Sequence, residues 1–204
     1  MAQIFPLPHQ HLLTYEDFLV QADEDLPAEW VGGKVIPVSP ASIRHQTLAA
    51  FLLKILGTYA EAKDLGLVLA APVQMKTGAN LPGREPDLLF IAKSNLGRLR
   101  RNHIEGPADL VIEIVSPESR LRDRGEKLAE YEMGGVAEYW IVDPELERTD
   151  FYQLENDGRY RRVDADENGI YLCRALTDFQ LEVAWLWQEP LPSLLSILPR
   201  LRLI

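Results

Sequence analysis

The chain has 204 residues, of which 47% are hydrophobic and 25% are charged, so it has the composition of a folded globular protein and not of a disordered one. Its single cysteine, Cys173, excludes an intrachain disulfide and a cysteine-built zinc site, and the net charge of −10 counts against nonspecific binding to a polyanion but not against binding through a local patch. No apolar run reaches the roughly 20 residues of a membrane helix and no signal-peptide pattern opens the chain, so we expect a cytoplasmic protein with no membrane partner.

Two elements are predicted at the start of the chain. Thr14 and Asp17 are typical of a capping pair and predict a short helix that ends near Ala22. The glycine pair Gly32-Gly33 stands between two short apolar segments, a pattern typical of a two-residue β-hairpin. The hairpin strands are predicted over residues 29–31 and 34–36.

The clearest predicted helix follows the hairpin. Ser42 is a suitable N-cap, Gly66 lies just beyond the end, and apolar residues recur between them at three- and four-residue spacing. These apolar residues are Leu48, Phe51, Leu52, Ile55, Leu56 and Tyr59.

Short apolar runs bounded by glycine, proline or polar residues predict strands through the middle of the chain. Four such runs cover residues 67–71, 73–75, 88–92 and 110–115. Residues 93–108 separate the last two runs and are interpreted as a loop that contains at most a helical turn.

The second half of the chain predicts a short helix and further strands. The helix runs from about Asp123 to Met133 and stops at Gly134-Gly135. A strand over residues 138–142, a meander over 151–154, 160–163 and 170–173, and an amphipathic helix over 193–198 follow. This order of elements predicts an α/β or α+β domain around a mixed sheet.

A single carboxylate, Glu113, interrupts a run of five aliphatic residues. Such a run is typical of a strand covered on both faces, where an ionised glutamate is costly to bury unless a cation or hydrogen-bond donors meet it. Two structural interpretations compete with a functional one: a salt bridge to an arginine, or an exposed side of the strand.

Asp87 stands at the mouth of another apolar strand, directly after Pro86. Such an aspartate is more often a turn or capping residue, but its strand is predicted to lie beside that of Glu113. Two carboxylates that project from adjacent strands form the oxygen-rich site that Mg²⁺ prefers. The pair therefore predicts an ion site that activates water and stabilises charge on a phosphate.

Three residues of the second predicted helix share one face, because Asp123, Lys127 and Tyr131 are spaced four residues apart. The ammonium of Lys127 can reach the same site, although an exposed ion pair is the ordinary interpretation of this spacing.

His45 lies near the apolar stripe of the long helix, where a histidine is more often a packed core residue than a functional one. Basic clusters at 98–103 and 120–124 flank the site in sequence and either hold phosphates or are solvated.

Several short motifs occur together in the chain. The longest runs from Glu113 to Pro144 and contains Val115-Ser116-Pro117-Glu118-Ser119, Asp123, Lys127, Tyr131, Gly135-Val136 and Glu138-Tyr139-Trp140-Ile141-Val142-Asp143-Pro144. Shorter ones are Thr14 with Asp17-Phe18, Glu29 with Gly33, Ser39-Pro40, His45 and Pro86-Asp87. Over roughly residues 12–185 these motifs resemble the Uma-type restriction endonuclease family of the PD-(D/E)XK nuclease superfamily.

The resemblance implies a restriction-endonuclease-like core, a mixed sheet flanked by helices with extra β-hairpins. We expect one domain over residues 1–204, with its core at about 12–185 and an apolar C-terminal extension over 186–204. The resemblance implies that Asp87 and Glu113 bind the metal. The superfamily pattern has a lysine two residues after the glutamate, where this chain has Val115, and Lys127 matches the lysine that family members supply from the following helix.

Two further residues enter through the resemblance. His45 falls on the first core helix, where the superfamily often places a polar residue of the active site, and it is carried as a member of the site. Glu29 is a secondary candidate.

The implied reaction is hydrolysis of DNA phosphodiester bonds by an endodeoxyribonuclease that depends on Mg²⁺ or Mn²⁺. A catalytically inactive nuclease-fold module that binds nucleic acid or protein is the main alternative, and a metallohydrolase of another phosphoester is the third. In an inactive module the site residues would point away from one another, or an arginine would form a salt bridge with Glu113. The apolar C-terminal stretch either forms a homodimer interface or covers the core of its own chain.

The chain contains no GxGxxG, P-loop, GxSxG or HExxH motif. Interpretations as a dinucleotide-binding protein, an NTPase or a zincin therefore lose their main support.

Overall fold

The computed structural model describes residues 12–21, 28–37, 41–117 and 119–203. The helices are α1 (Tyr15–Gln21), α2 (Ile43–Ala62), α3 (Arg120–Arg122), α4 (Leu128–Gly134) and α5 (Leu194–Ile197), with a π-helical segment at Asp123–Lys127 and 3₁₀ turns at Lys93–Arg98 and Val183–Trp187. The strands are β1 (Ala28–Val31), β2 (Lys34–Pro37), β3 (Gly66–Ala70), β4 (Gln74–Lys76), β5 (Gly83–Arg84), β6 (Leu88–Ala92), β7 (His103–Glu105), β8 (Leu110–Ile114), β9 (Glu138–Asp143), β10 (Arg148–Leu154), β11 (Tyr160–Val163), β12 (Ile170–Leu172) and β13 (Gln180–Glu182).

The predicted caps and the hairpin are confirmed. The Thr14 hydroxyl accepts a hydrogen bond from the Asp17 backbone N–H at 3.0 Å and begins α1, while Ala22 lies outside the described residues. Gly32 and Gly33, at φ +55° and +85°, join β1 to β2 in the left-handed conformation that such a turn requires. Ser42 caps α2 by accepting a hydrogen bond from the His45 N–H.

A six-stranded mixed sheet forms the centre, in the order β11-β10-β9-β8-β6-β3. Strands β8 and β9 are parallel, and the other neighbours are antiparallel. Successive residues of each central strand belong to two different hydrophobic clusters, one on each face of the sheet. Val111 and Ile112 of β8 are an example. Both faces of β8 are therefore buried, as its uninterrupted aliphatic run predicts.

Helix α2 covers one face of this sheet with the apolar stripe that defines it in sequence. The other face packs against Tyr131 of α4 and against β4 and β7 of a second sheet, through Met75 and Ile104. This second sheet has five strands in the order β2-β1-β5-β4-β7.

The register between β6 and β8 decides where the two candidate carboxylates lie. Leu88 pairs with Ile112 and Leu89 with Val111 in an antiparallel ladder. Extending that ladder by one residue sets Asp87 opposite Glu113, and side chains directly opposite each other share one face of the sheet. The predicted neighbouring of the two strands is confirmed.

Two sequence predictions are wrong. The stretch 93–108 contains a strand, β7, as well as a 3₁₀ turn; β7 has three residues with only Ile104 buried, too short for an alternating pattern. The predicted three-stranded meander breaks after β11, because β12 pairs with β13 in a separate two-stranded sheet. Tyr171 of β12 stacks on Phe151, so β12 covers the face of the central sheet and does not extend its edge.

The C-terminal stretch packs on the core of its own chain. Trp185, Leu186 and Ile197 are buried in the cluster that contains α2, whereas Leu195 of α5 is exposed. Ser193 caps α5, near the predicted start of this helix. The homodimer stays a prediction. Across the described parts of the chain, no helix has both the length and the apolar character needed to cross a membrane.

Candidate active site

The two carboxylates from neighbouring strands reach one cavity of about 480 Å³. Lys127 and His45 line the same cavity, so the structure brings together all four residues that the sequence predicts for the site. The carboxylates in its wall are Glu29, Glu85, Asp87, Glu113 and Asp123.

Asp87 is oriented by two neighbours. Its Oδ2 accepts a hydrogen bond from the backbone N–H of Ile114 at 2.7 Å and lies 3.2 Å from His45 Nε2. Burial alone would lower the pKa of His45, but the hydrogen bond and negative charge of Asp87 outweigh it and raise that pKa. The other oxygen of Asp87 accepts no hydrogen bond from a described residue, so it remains available to a ligand.

Glu113 is buried and its Oε1 has two partners. Lys127 Nζ lies 2.9 Å away, and the Tyr131 hydroxyl donates at 2.8 Å. The sequence allowed two structural interpretations of Glu113, a salt bridge to an arginine and an exposed side of the strand. Neither is found, because the partner is a lysine and the side chain is buried. Burial raises the pKa of Glu113 to about 8; Lys127 opposes this shift and the nearby carboxylates of Asp123, Asp87 and Glu29 add to it.

The helix that carries Lys127 has an irregular beginning. It starts at Arg120, three residues before the predicted start, and is π-helical from Asp123 to Lys127. Both Asp123 and Lys127 are buried, so their ion pair is not the ordinary exposed one. Single π-helical turns occur frequently at functional sites. Gly135, at φ +80°, caps the helix in the left-handed conformation.

The Lys127 ammonium is surrounded by three carboxylates. Besides Glu113, it lies 3.1 Å from Glu29 Oε1 and 3.4 Å from Asp123 Oδ1. Burial alone would lower the pKa of Lys127, but these three negative charges raise it above its usual value. Lys127 is therefore a cation at neutral pH and acts as a hydrogen-bond donor.

Glu29 also lines the cavity, and it pairs with Arg84, a residue that the sequence did not single out. Its Oε2 accepts a hydrogen bond from a terminal N–H of Arg84 at 2.8 Å, while Arg84 also donates two bonds to Glu130. Strands β1 and β5 are adjacent, which sets Arg84 beside a glutamate 55 residues away in sequence. No local pattern marks a contact of this range.

Comparison with known proteins decides the family. The family model Uma2, described as "Putative restriction endonuclease", matches residues 14–184. The chain belongs to the Uma2 family. A search of curated protein sequences found no match.

A solved structure shares the fold of this Uma2 member. It is described as "a putative nuclease belonging to DUF820" and comes from Anabaena variabilis. The two chains are 16% identical and superpose with a TM-score of 0.70, over 86% of this chain and 97% of that chain. The family resemblance and the mixed fold flanked by helices are confirmed.

The donor set of this Uma2 site fits Mg²⁺ or Mn²⁺. Within the residues that the structure describes, no three His, Cys, Asp or Glu side chains form a ready-made cage for an ion. Mg²⁺ does not require one, because it keeps several waters and binds through one or two carboxylates. Asp123 Oδ1 is buried and accepts no hydrogen bond from a described residue. This oxygen already faces the Lys127 ammonium 3.4 Å away, so the ligands that fit an ion are the oxygens of Asp87 and Glu113 that accept no hydrogen bond from described residues.

Proposed function

We propose that this Uma2 protein is an endonuclease of the PD-(D/E)XK type that hydrolyses DNA phosphodiester bonds with Mg²⁺ or Mn²⁺. One observation carries the proposal: Asp87, Glu113 and Lys127 line one cavity, with the lysine ammonium 2.9 Å from the glutamate. The descriptions of the family as restriction endonucleases and of the Anabaena protein as a nuclease support the class of reaction.

The position of the lysine supports the match to the PD-(D/E)XK pattern. Val115 occupies the usual place of the lysine and is buried in a hydrophobic cluster with Val111 and Tyr131, on the face of the sheet away from α2. Lys127 supplies the ammonium from the following helix instead, and it reaches the same glutamate.

Asp87 and Glu113 would hold the ion through the oxygens that accept no hydrogen bond from described residues. When bound, a divalent ion supplies a water of lowered pKa and stabilises negative charge on the phosphate. The other roles in the proposed reaction belong to side chains of the protein. Lys127 stays protonated, so it does not take the proton of the attacking water. It donates a hydrogen bond to that water by exchanging its longest contact, 3.4 Å to Asp123.

Two groups position the metal-binding carboxylate of Asp87. The Ile114 N–H and His45 both engage Oδ2, which restricts the orientation of the carboxylate and leaves its second oxygen without a partner among the described residues. We assign His45 this positioning role in the proposed reaction.

The inactive module is the less favoured alternative for a specific reason. In a degenerate site an arginine would occupy Glu113, whereas the buried Arg84 pairs with Glu29 and Glu130. Glu113 has a lysine and a tyrosine as its partners, and one of its oxygens is not engaged by any described residue.

A cleavage assay tests the proposal. We expect the parent protein to cut plasmid DNA in Mg²⁺ or Mn²⁺ and to stop when the ion is chelated. Asp87→Asn keeps the volume of the side chain but removes a charged metal ligand, so its cleavage rate should fall about a thousandfold, the effect of losing several kcal/mol of transition-state stabilisation.

Asp164→Asn is the matched control, because Asp164 is 78% exposed and lies outside the cavity. This variant should cut DNA at the parent rate. A parent that cuts neither duplex nor single-stranded DNA with either ion would support the inactive module. Equal cleavage by Asp87→Asn and the parent, each purified to the same specific activity over two different columns, would contradict the assigned site.

A further inference from the structure

One cationic side chain in the cavity wall forms no hydrogen bond or ion pair with the described residues around it. Arg122 ends α3, directly before the π-helical segment, and lines the cavity together with Glu113 and Lys127. Its Nε is buried and has no hydrogen-bond partner among the described residues. A buried N–H donor without an acceptor is unfavourable, so this position is suited to a ligand that supplies one.

The neighbouring arginines are engaged elsewhere. Arg120 donates two hydrogen bonds to Asp143, and Arg124 pairs with Asp150 and lies 3.5 Å from Asp143. These two carboxylates are on β9 and β10, and neither lines the cavity. Of the three arginines in this basic cluster, only Arg122 faces the proposed catalytic residues.

The other cations of the cavity are also occupied. Lys127 contacts three carboxylates, and His45 contacts Asp87. Arg122 forms no ion pair with any carboxylate in the described parts of the chain, although five carboxylates line the same cavity. It is therefore the cationic group best able to accept an incoming anion.

We infer that Arg122 binds a phosphate group of the nucleic-acid backbone beside the Asp87–Glu113 pair. The inference rests on the proposed nuclease function and assigns its substrate contact. A guanidinium pairs with two phosphate oxygens through parallel N–H bonds, which fixes the orientation of the phosphate as well as its position. The charge of Arg122 also offsets the repulsion between a polyanion and the acidic wall.

A binding measurement separates this contact from catalysis. The probe is a short labelled DNA duplex titrated in Ca²⁺, a larger oxygen-binding ion, and electrophoresis after each titration verifies that the duplex is intact. Arg122→Ala should weaken duplex binding about tenfold or more, as expected for lost charge-assisted hydrogen bonds. The slope of log affinity against log salt should become shallower by about one.

Two variants and one second readout make the result specific. Arg122→Lys should recover part of the affinity, because lysine keeps the charge but not the paired donors. Arg101→Ala removes the same charge from an exposed position outside the cavity and should change binding less than about threefold. Calorimetry without DNA should show that Arg122→Ala binds Mg²⁺ at least as tightly as the parent, because the variant keeps the carboxylates and loses a positive charge beside them.

Each outcome decides the inference. If Arg122→Ala binds the duplex like Arg101→Ala, or if the parent binds no duplex, the phosphate contact is wrong. Duplex binding that depends on Arg122 in a protein that cuts no DNA would uphold the contact and overturn the nuclease function. DNA cleavage with an unchanged KM in Arg122→Ala would overturn the contact and leave the nuclease function standing.

Discussion

Replacing Lys127 by methionine is expected to reduce DNA cleavage by about 10²–10³-fold, the usual effect of removing one donor that stabilises developing charge. Methionine has a similar length but cannot donate a hydrogen bond to water or phosphate. We propose this role for Lys127 because its ammonium lies 2.9 Å from Glu113 inside the cavity and its pKa is raised above the usual value. Single-turnover cleavage with saturating Mg²⁺ measures the effect.

The same substitution should also destabilise the protein when no divalent ion is present. It removes the cation that Glu29, Glu113 and Asp123 share. Arg84 still pairs with Glu29, but Glu113 and Asp123 lose their ion-pair partner, and uncompensated buried charge costs about 3–5 kcal/mol. Mg²⁺ should restore much of this loss, because the ion replaces the missing positive charge. Urea unfolding with and without Mg²⁺ measures both effects.

Lys54→Met is the matched control for Lys127→Met. Lys54 is exposed on α2 and does not line the cavity, so its loss should change neither stability nor cleavage measurably. If folded Lys127→Met cuts DNA as fast as the parent, Lys127 has no part in the reaction and the match to the PD-(D/E)XK pattern fails.

The second large effect is expected at Glu138, at the start of β9. Its carboxylate is fully buried and accepts hydrogen bonds from Trp140 Nε1 at 2.7 Å, from the Tyr171 hydroxyl at 2.6 Å and from two backbone N–H groups at 2.8 Å. Glu138→Ala leaves all these donors unpaired, so the free energy of unfolding should fall by about 3–5 kcal/mol. Urea unfolding measures it.

Glu138→Ala should leave the cleavage rate of each folded molecule unchanged, because Glu138 does not line the cavity. Glu167→Ala is the control at an exposed glutamate, and its stability should stay within about 0.5 kcal/mol of the parent. Glu138→Ala with parent-like stability would show that the hydrogen-bond network around this carboxylate contributes little.

Glu113 and Glu138 show where sequence reasoning reaches its limit. Each is a carboxylate in an apolar strand, and both belong to the longest family motif, so their local patterns are alike. Their surroundings differ, because their partners come from remote parts of the chain. Glu138 meets donors from residues 171–175, whereas Glu113 faces a cavity and a lysine.

The elements that sequence predicts well are those with a local cause. The stripe from Leu48 to Tyr59 defines α2, and the uninterrupted aliphatic run defines β8. By contrast, β7 and the pairing of β12 with β13 depend on contacts with other elements. The π-helical segment also has no local signal, although it helps to bring Asp123 and Lys127 to the cavity.

The residues of the candidate site also fall into two groups, those with a signal in the sequence and those whose position depends on contacts with remote parts of the chain. The approach of Asp87 to Glu113 was predictable because adjacent apolar strands each carry one carboxylate. Helical spacing and the family resemblance pointed to Lys127, and the resemblance pointed to His45; both line the same cavity. The part played by Arg84 was not predictable, since its contact with Glu29 depends on the pairing of β1 with β5. The basic cluster 120–124 is visible in sequence, but only the structure shows that Arg122 alone among its arginines lines the cavity.

Calorimetric titration of Mg²⁺ or Mn²⁺ into the parent, Asp87→Ala and Glu113→Ala tests the central claim most directly, namely that these two carboxylates share one ion. We expect the parent to bind the ion and both variants to lose that binding while they remain folded. Ion binding that persists in both variants would contradict the claim and place the metal site elsewhere in the chain.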